Sequence, residues 1–525
     1  MIRRYSLFLI LAVAAFGPLL FSPYHYDDSI VIQTNELLRS FAGIKELWLG
    51  HIDHAHEMDG TYRPLFLTGL ALIGRIFDFS PIVFHFASIA LHALNALLLY
   101  VLATRLIHLS PRMAFVTSSL FLLHPVQVTS LAIIWKQSDL WVASAALGTL
   151  FLLFQFSRSQ KKRWLICAGL LFLGSFLIKE SPMILPLLWL AAEPIFPKAG
   201  RKSRFVFVAL GCAVSFLYYK ELCPRVPRPY DSEPNPSTHL QYFSTQLSVF
   251  PYYLRDLFWP DALTVDRTIY VPAALTATGA FWMAAAALMV GLLILLAVGR
   301  RSRTAVAFLW GMLWLAPTSS FEPLSILYDE TRLYLTVASV SLALMIAVSR
   351  YRHRVVLSKN ILRLAMAAPI VLLGMLSFCE TARWKSDRRL WEATLDVDPT
   401  SARAHYMLGY LDDMDRAYDD AEQHYRKALE LSSDFPNPRL NLGILLGRKG
   451  DLDGAAAEFT RLLSAPPHWA ARGHYHLALD FLYRGKPQEG LLHLEKAKRL
   501  DPTGVLAAKG EKIFSSYLAR PKRVR

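Results

Sequence analysis

The strongest constraint in the sequence is a recurrence of apolar runs that stops abruptly. Runs near the ~20 residues needed to cross a bilayer recur from residue 5 to Phe378, and the chain then turns polar. Two parts made for different solvents are implied. With 54% of its 525 residues hydrophobic and 18% charged, the chain lies far from the soluble average, in the range of polytopic membrane proteins. A net charge of +15 alone would suit a nucleic-acid partner, but its placement does not. The basic residues cluster between alternate apolar runs, at Arg3 and Arg4, Arg105 and Arg112, Arg158 to Arg163, Lys198 to Arg204, Arg300 to Arg303, and Arg350 to Lys359. That is the positive-inside pattern. No basic face interleaved with aromatics marks a nucleic-acid module. The four cysteines, Cys167, Cys212, Cys223 and Cys379, lie far apart without metal-ligand spacing.

With Arg3 and Arg4 cytoplasmic, the pattern predicts about eleven spans, the first an uncleaved anchor rather than a signal peptide. They fall at 5–22, 81–107, 113–134, 139–156, 164–178, 182–196, 205–219, 274–298, 304–317, 334–349 and 361–378. This topology puts every strongly basic cluster on the cytoplasmic side and the C-terminus outside. Three long polar segments become exoplasmic: 23–80, the Pro-rich 220–273, and 318–333. Within them TYRPLFLTGLALIGRIF and TQLSVFPYYLRDLFWPDAL are amphipathic and expected to lie along the membrane surface.

Beyond Phe378 a repeat emerges. Leu408-Gly409, Ala421, Tyr425 and Ala428 are followed by Leu442-Gly443, Ala455, Phe459 and Pro467, the two glycines one 34-residue tetratricopeptide period apart. A third copy runs through Leu477-Ala478, Gly490, Leu494 and Ala497, and Trp391 with Pro399 fits a preceding half-repeat. Small residues are needed where paired helices touch, and aromatics fill the gap between repeats. The expected architecture is all-α: residues 1–381 a membrane helical bundle, residues 382–525 a tetratricopeptide-repeat α-solenoid.

Several polar residues stand out against this frame. Asp27 and Asp28, in YDDSI just after the first span, read either as a helix cap or as a carboxylate pair that takes a proton from a hydroxyl or holds a divalent cation. Arg63, Lys179 and Arg332 are cations on a side where cations are scarce. Each needs an anion, either a neighbouring carboxylate such as Glu180 or Glu330, or a lipid-linked phosphate that a planar guanidinium suits. His85, His92 and Asn95 fit hydrogen bonding between helices, with catalysis the second reading. His124, before Pro125, can face a cavity. The cluster His51, His54, His56, Glu57 and Asp59 has enough ligands for a metal but matches no standard spacing.

The order YDDSI, YRPL, FHFASIALHALNALLLY, LFLLHPVQVTSLAIIWKQSDLWVA, IKESPMILPLLWL, PTSSFEPLSILYDETRLYL and then the repeats resembles the transmembrane and tetratricopeptide-repeat protein O-mannosyltransferases, particularly their bacterial relatives. The resemblance covers almost the whole chain. It implies a family C (GT-C) glycosyltransferase with inverting transfer of a sugar from a polyprenyl-phosphate donor to a hydroxyl acceptor. It places Asp27 and Asp28 on the family's acidic pair, which acts as base and is an option for a divalent metal. Arg63, Arg332 and Lys179 fall on the donor-phosphate side, and His85, His92, His124, Glu180, Glu330 and Tyr334 on other motif positions. The sequence departs from the family pattern at Thr129, where many members have Glu or Gln, at Gln137, where many have Arg, and at Thr336, where many have Pro; the missing Arg at 137 bears on the donor-phosphate contact. The implied setting is a bacterial inner membrane, N-terminus cytoplasmic and repeats periplasmic, with a protein acceptor engaged by the repeats. Two other functions fit the same residues: an oligosaccharide ligase or polymerase using a lipid diphosphate donor, and a non-catalytic membrane-anchored repeat scaffold.

Overall fold

The structure, a computed structural model, describes residues 2–49, 62–191, 201–218, 239–269, 291, 294, 296, 302–317, 326–351, 358–502 and 505–518. These residues form helices and turns, with no strand among them. They divide into two compact units, one running essentially to Leu390 and one from Trp391 onward that also takes in Asp266–Thr268. The first unit passes beyond residue 381, where composition changes, because His25 holds Trp384 and Asp387: its ring nitrogens lie 2.9 Å from the Trp384 carbonyl and 2.7 Å from the Asp387 carboxylate.

Among the described residues of the first unit, five helical segments are long and apolar enough to cross a membrane: Ile2–Phe21, Pro81–Arg105, Ile134–Ser159, Glu330–Tyr351 and Arg363–Lys385. Their surfaces match that solvent. On the last, Leu364 is 68% and Met375 63% exposed, apolar area that water would penalise. Shorter apolar helices are Pro64–Ile76, Phe207–Leu217 and Arg303–Leu315. The expected count of eleven spans is not confirmed, and its 274–298 span lies almost wholly outside the described residues. Of the two segments expected at the surface, one is the helix Pro64–Ile76, too short to span, and the other lies in and just beyond the helix His239–Phe258.

One expected span is broken. Residues 113–134 read as a continuous apolar run, yet the helix Pro111–Leu122 stops, a turn carries His124-Pro125, a short helix covers Gln127–Ala132, and a 3-10 turn at Ile134–Lys136 opens the helix Gln137–Ser159. Proline disfavours helical backbone at the residue before it. Broken backbone at membrane depth is tolerated only inside protein, and every residue from Ser118 to Trp135 is buried.

The second unit repeats a helical hairpin: Ala402–Met414 with Tyr418–Leu431, Pro436–Lys449 with Leu452–Arg461, and Pro467–Tyr483 with Pro487–Leu500, preceded by Asp387–Val397 and followed by Val505–Leu518. Glycine sets the spacing within hairpins. A Cβ on Gly443 would fall 2.5 Å from the Phe459 ring, and one on Gly409 2.9 Å from Tyr425. Asp266 and Thr268 join this unit by accepting from the Ser401 hydroxyl at 2.5 Å and donating a backbone N–H to Asp398 at 2.6 Å.

Candidate functional site

The segment Ile134–Asp139, at the far edge of the broken stretch, is where separate loops meet. Asp28 is fully buried. One carboxylate oxygen accepts from the Trp135 N–H at 2.7 Å, the other from Ile134 at 2.9 Å and His25 at 3.4 Å. The Ile134 and Trp135 N–H groups are free amides of a helix start, so Asp28 caps a helical segment distant in sequence rather than its own, where its side chain makes no capping bond. Burial pushes its carboxyl up to about 7, against the pull of the three N–H donors. Asp27, one residue earlier, is exposed. Tyr26, immediately before the pair, lies at φ 53°, a left-handed conformation uncommon for an aromatic residue.

The Arg63 guanidinium lies 4.9 Å from the centre of the Trp135 ring and 3.6 Å from Glu180, and its Nε is buried without a hydrogen-bond partner among the described residues. The chain delivers it there through packing. Phe66 on the following helix meets Trp135 and Trp141 with ring centres 5.6 and 6.1 Å apart, and the Leu65 N–H donates to the Leu177 carbonyl at 3.0 Å. Burial would raise the Glu180 carboxyl, but Arg63 and Lys179 hold it below its ordinary value.

Lys136 pairs with Asp329 at 2.6 Å, and Asp139 pairs with Lys179 at 2.6 Å. Asp329 also caps the turn Glu330–Leu333 by accepting from the Thr331 N–H at 3.0 Å. Burial opposes ionisation of Asp329, yet Lys136 and Arg332 hold it well below the usual carboxylate range. Loops carrying residues 25–28, 63, 134–139, 179–180 and 329–332 thus gather at one end of the bundle. Arg4, Arg112 and Arg363 share a cleft, as do Arg303, Arg350 and His108.

Several singled-out residues serve the broken backbone. His92 Nε2 lies 2.9 Å from the Leu122 carbonyl, so that nitrogen carries the proton, and its Nδ1 accepts from the Tyr334 hydroxyl at 2.6 Å. Asn95 donates to the same hydroxyl at 3.1 Å and accepts from Ser144 at 2.6 Å. His124 donates to the Leu257 carbonyl at 3.1 Å and accepts from the Val126 N–H at 3.3 Å, while His85 lies 3.4 Å from the Leu131 carbonyl. Ser377 donates to the Leu123 carbonyl at 3.0 Å. Carbonyls orphaned by a helix end need such donors.

Glu330 accepts from the Thr129 hydroxyl at 2.8 Å and the Thr264 N–H at 2.5 Å. Arg332 is engaged within its own surroundings. It donates to Gln246 and Tyr253 at 3.3 Å each, to the Leu327 carbonyl at 3.2 Å, and to the Ile326 carbonyl. The departures are accommodated internally: Gln137 donates to the Phe84 carbonyl at 2.9 Å and Thr336 to that of Gly311 at 3.1 Å. Lys136, Asp139, Asp329 and His25 escaped the sequence reading. Lys136 carried the same signal as Lys179, a cation between two apolar runs on the expected exoplasmic side. As for a metal, both Asp28 oxygens already accept from amides, and no group of three or more His, Cys, Asp or Glu among the described residues is placed to hold one. The His51 to Asp59 cluster lies outside the described residues.

A family model of the tetratricopeptide repeat matches residues 388–435. A protein O-mannosyl-transferase of Caenorhabditis elegans is 24% identical over 454 residues, 83% of this chain and 63% of that protein. The chain thus spans less than two thirds of that relative. A probable biofilm formation methyltransferase, WspC, of Pseudomonas putida is 37% identical over 85 residues, 16% of this chain and 20% of that protein. Among solved structures, the APC/C hetero-tetramer Cut9-Hcn1 aligns over 91% of this chain and 100% of that chain, at 12% identity and a TM-score of 0.26, which carries no argument about fold. What the chain shares with known proteins is a tetratricopeptide repeat at 388–435 and an extended similarity to a protein O-mannosyl-transferase.

Proposed function

We propose that this chain is an integral membrane GT-C glycosyltransferase that moves a sugar, mannose being the leading candidate, from a polyprenyl-phosphate donor to a hydroxyl of an acceptor protein at the exoplasmic face. The observation that carries the reading is the division of labour at YDDSI. Asp28 is buried and bound to the Ile134 and Trp135 amides, which leaves Asp27 exposed at the end of the bundle where the Arg63 guanidinium keeps a nitrogen without a partner among the described residues. Similarity to an O-mannosyl-transferase over 83% of the chain supports the same class. The repeats, a fold that binds protein segments along a continuous surface, would engage the acceptor. The setting that fits is a bacterial inner membrane with the repeats in the periplasm.

In this reaction Asp27 takes the proton of the acceptor hydroxyl as that oxygen attacks the anomeric carbon. The bond from that carbon to the donor phosphate oxygen breaks on the opposite face, giving inversion, as in single-displacement sugar chemistry. The lipid phosphate leaves with the electron pair, and Arg63 stabilises its charge. Arg332 and Lys179 act from behind: one holds residues 326–327 and Tyr253, the other orders Asp139 on the central segment.

Asp27→Asn is expected to lower transfer by about 10²- to 10⁴-fold, the usual contribution of a general base, with the melting temperature of the purified protein unchanged. Full activity of that variant on a polyprenyl-phosphate sugar would remove Asp27 from the role. Two other readings have their own tests. Competition between mono- and diphosphate lipid donors separates a transferase from an oligosaccharide ligase or polymerase. The internal engagement of Arg332 and Lys179 favours a scaffold without catalysis, which predicts no glycan difference by mass spectrometry when the gene is removed.

A further inference from the structure

At the arginine-rich end of the first unit, a cleft opens between the helices Ile2–Phe16, Pro81–Arg105, Pro111–Leu122 and Lys359–Thr381. Its polar wall consists of Arg4, Arg112 and Arg363, and no carboxylate lines it. Among the described residues none of the three arginines pairs with an acid. Arg4 instead lies over the Tyr100 ring, 4.4 Å from its centre, and donates to the Tyr100 hydroxyl. The rest of the lining is apolar. Phe8 and Phe115 stack with ring centres 5.5 Å apart, and Leu7, Val116, Met366 and Ile370 continue the wall. Three like charges gathered without a counter-ion repel one another, and a bound anion removes that cost. The positive-inside rule accounts for arginines at this end of the spans, but not for three of them sharing the mouth of one apolar cleft.

We infer that this cleft binds an anionic phospholipid, its phosphate on Arg4, Arg112 and Arg363 and one acyl chain along Phe8, Phe115 and Ile370. Charge complementarity selects the headgroup and the apolar lining selects a lipid over a free phosphate. The inference rests on the membrane reading of the apolar helices and not on sugar transfer. A lipid here would bridge the first anchor to the Lys359–Thr381 helix, which buries little of its own apolar surface.

The test uses the full chain, purified in neutral detergent, and mixed micelles of phosphatidylglycerol or phosphatidylcholine with identical acyl chains. Lipid retention by native mass spectrometry and the melting temperature are the readouts, neither of which depends on activity. Phosphatidylglycerol is expected to be retained and to raise the melting temperature, whereas phosphatidylcholine and inorganic phosphate do neither. Replacing both Arg112→Gln and Arg363→Gln should weaken phosphatidylglycerol retention by at least about tenfold. Ala367→Trp, which keeps the arginines and fills the cleft, should weaken it as well, and it decides the matter if the arginine variant fails to fold. Equal retention of the two lipids, undiminished retention in the Ala367→Trp variant, or the same thermal shift with inorganic phosphate alone would overturn the inference.

Discussion

Asp28 in the first unit and Lys449 in the second are both ionisable residues that hold separate pieces of chain together, in different surroundings. Asp28 is sealed from water and receives three backbone N–H bonds. Lys449 lies on a helix surface, 2.7 Å from Asp419 and 2.8 Å from Glu422. The same contrast runs through both units. His92, Asn95, Tyr334 and Arg332 work inward, on groups that a low-dielectric interior would otherwise leave unpaired. Apart from the largely buried pair of Arg439 with Glu458, the ion pairs of the repeats decorate hairpins already closed by interlock of Gly409 with Tyr425 and Gly443 with Phe459. In the first unit polar contacts keep a broken backbone in place, while in the second the fold is a matter of size and shape.

The sharpest way to break this contrast is Asp28→Ala. It strands three N–H groups, each costing about 1–3 kcal/mol when buried unsatisfied, so a loss of about 3 kcal/mol or more is expected in thermal or chemical unfolding of the detergent-solubilised protein. A smaller effect would mean that water reaches the Ile134 amide. In the repeats, Gly443→Ala places a methyl group against the Phe459 ring. Overpacking of about 1–3 kcal/mol, partly offset by the better helix propensity of alanine, leaves about 1 kcal/mol of destabilisation.

A smaller effect comes from two histidine pairs of the same sequence separation, His405 with His424 at 3.1 Å and His474 with His493 at 3.0 Å between ring nitrogens. Burial first, then His493 and Lys496, lowers His474 to about 4, below the ordinary 6.5. The folded state therefore favours the neutral ring. This contribution to stability is complete above about pH 6.5 and is lost as pH falls toward 4. Melting of the repeat unit within the full chain, followed by circular dichroism, should show that loss, and His474→Gln should flatten it. The least effect is expected for Lys449→Ala. Exposed ion pairs contribute little, and an unchanged melting temperature would sustain the contrast, whereas a drop like that of Asp28→Ala would erase it.

Much of this organisation is legible in the primary structure. Apolar runs and alternating basic clusters announce spans because the bilayer imposes length and the translocation machinery reads charge. The 34-residue spacing of Gly409 and Gly443 announces the hairpins because close helix contact tolerates only small side chains. The interruption at His124-Pro125 was harder to see. In a run that is apolar on every side, periodicity carries no sign of where the helix stops, and only proline hints at it. Asp27 and Asp28 are identical in type and adjacent, so nothing local assigns one to the surface and the other to the Ile134 and Trp135 amides.

The sequence by itself determined the helical class, the apolar character of the long helices in the first unit and the repeat, since these depend on composition and spacing along the chain. Tertiary structure alone decided that the Arg63 side chain lies over Trp135 while the Arg332 guanidinium holds Tyr253, that His92 serves a carbonyl of the broken span, and that Asp27 is left exposed. The physical reason is common to all three. A buried polar group takes its role from whichever unsatisfied partner folding brings to it, and those partners come from residues far along the chain.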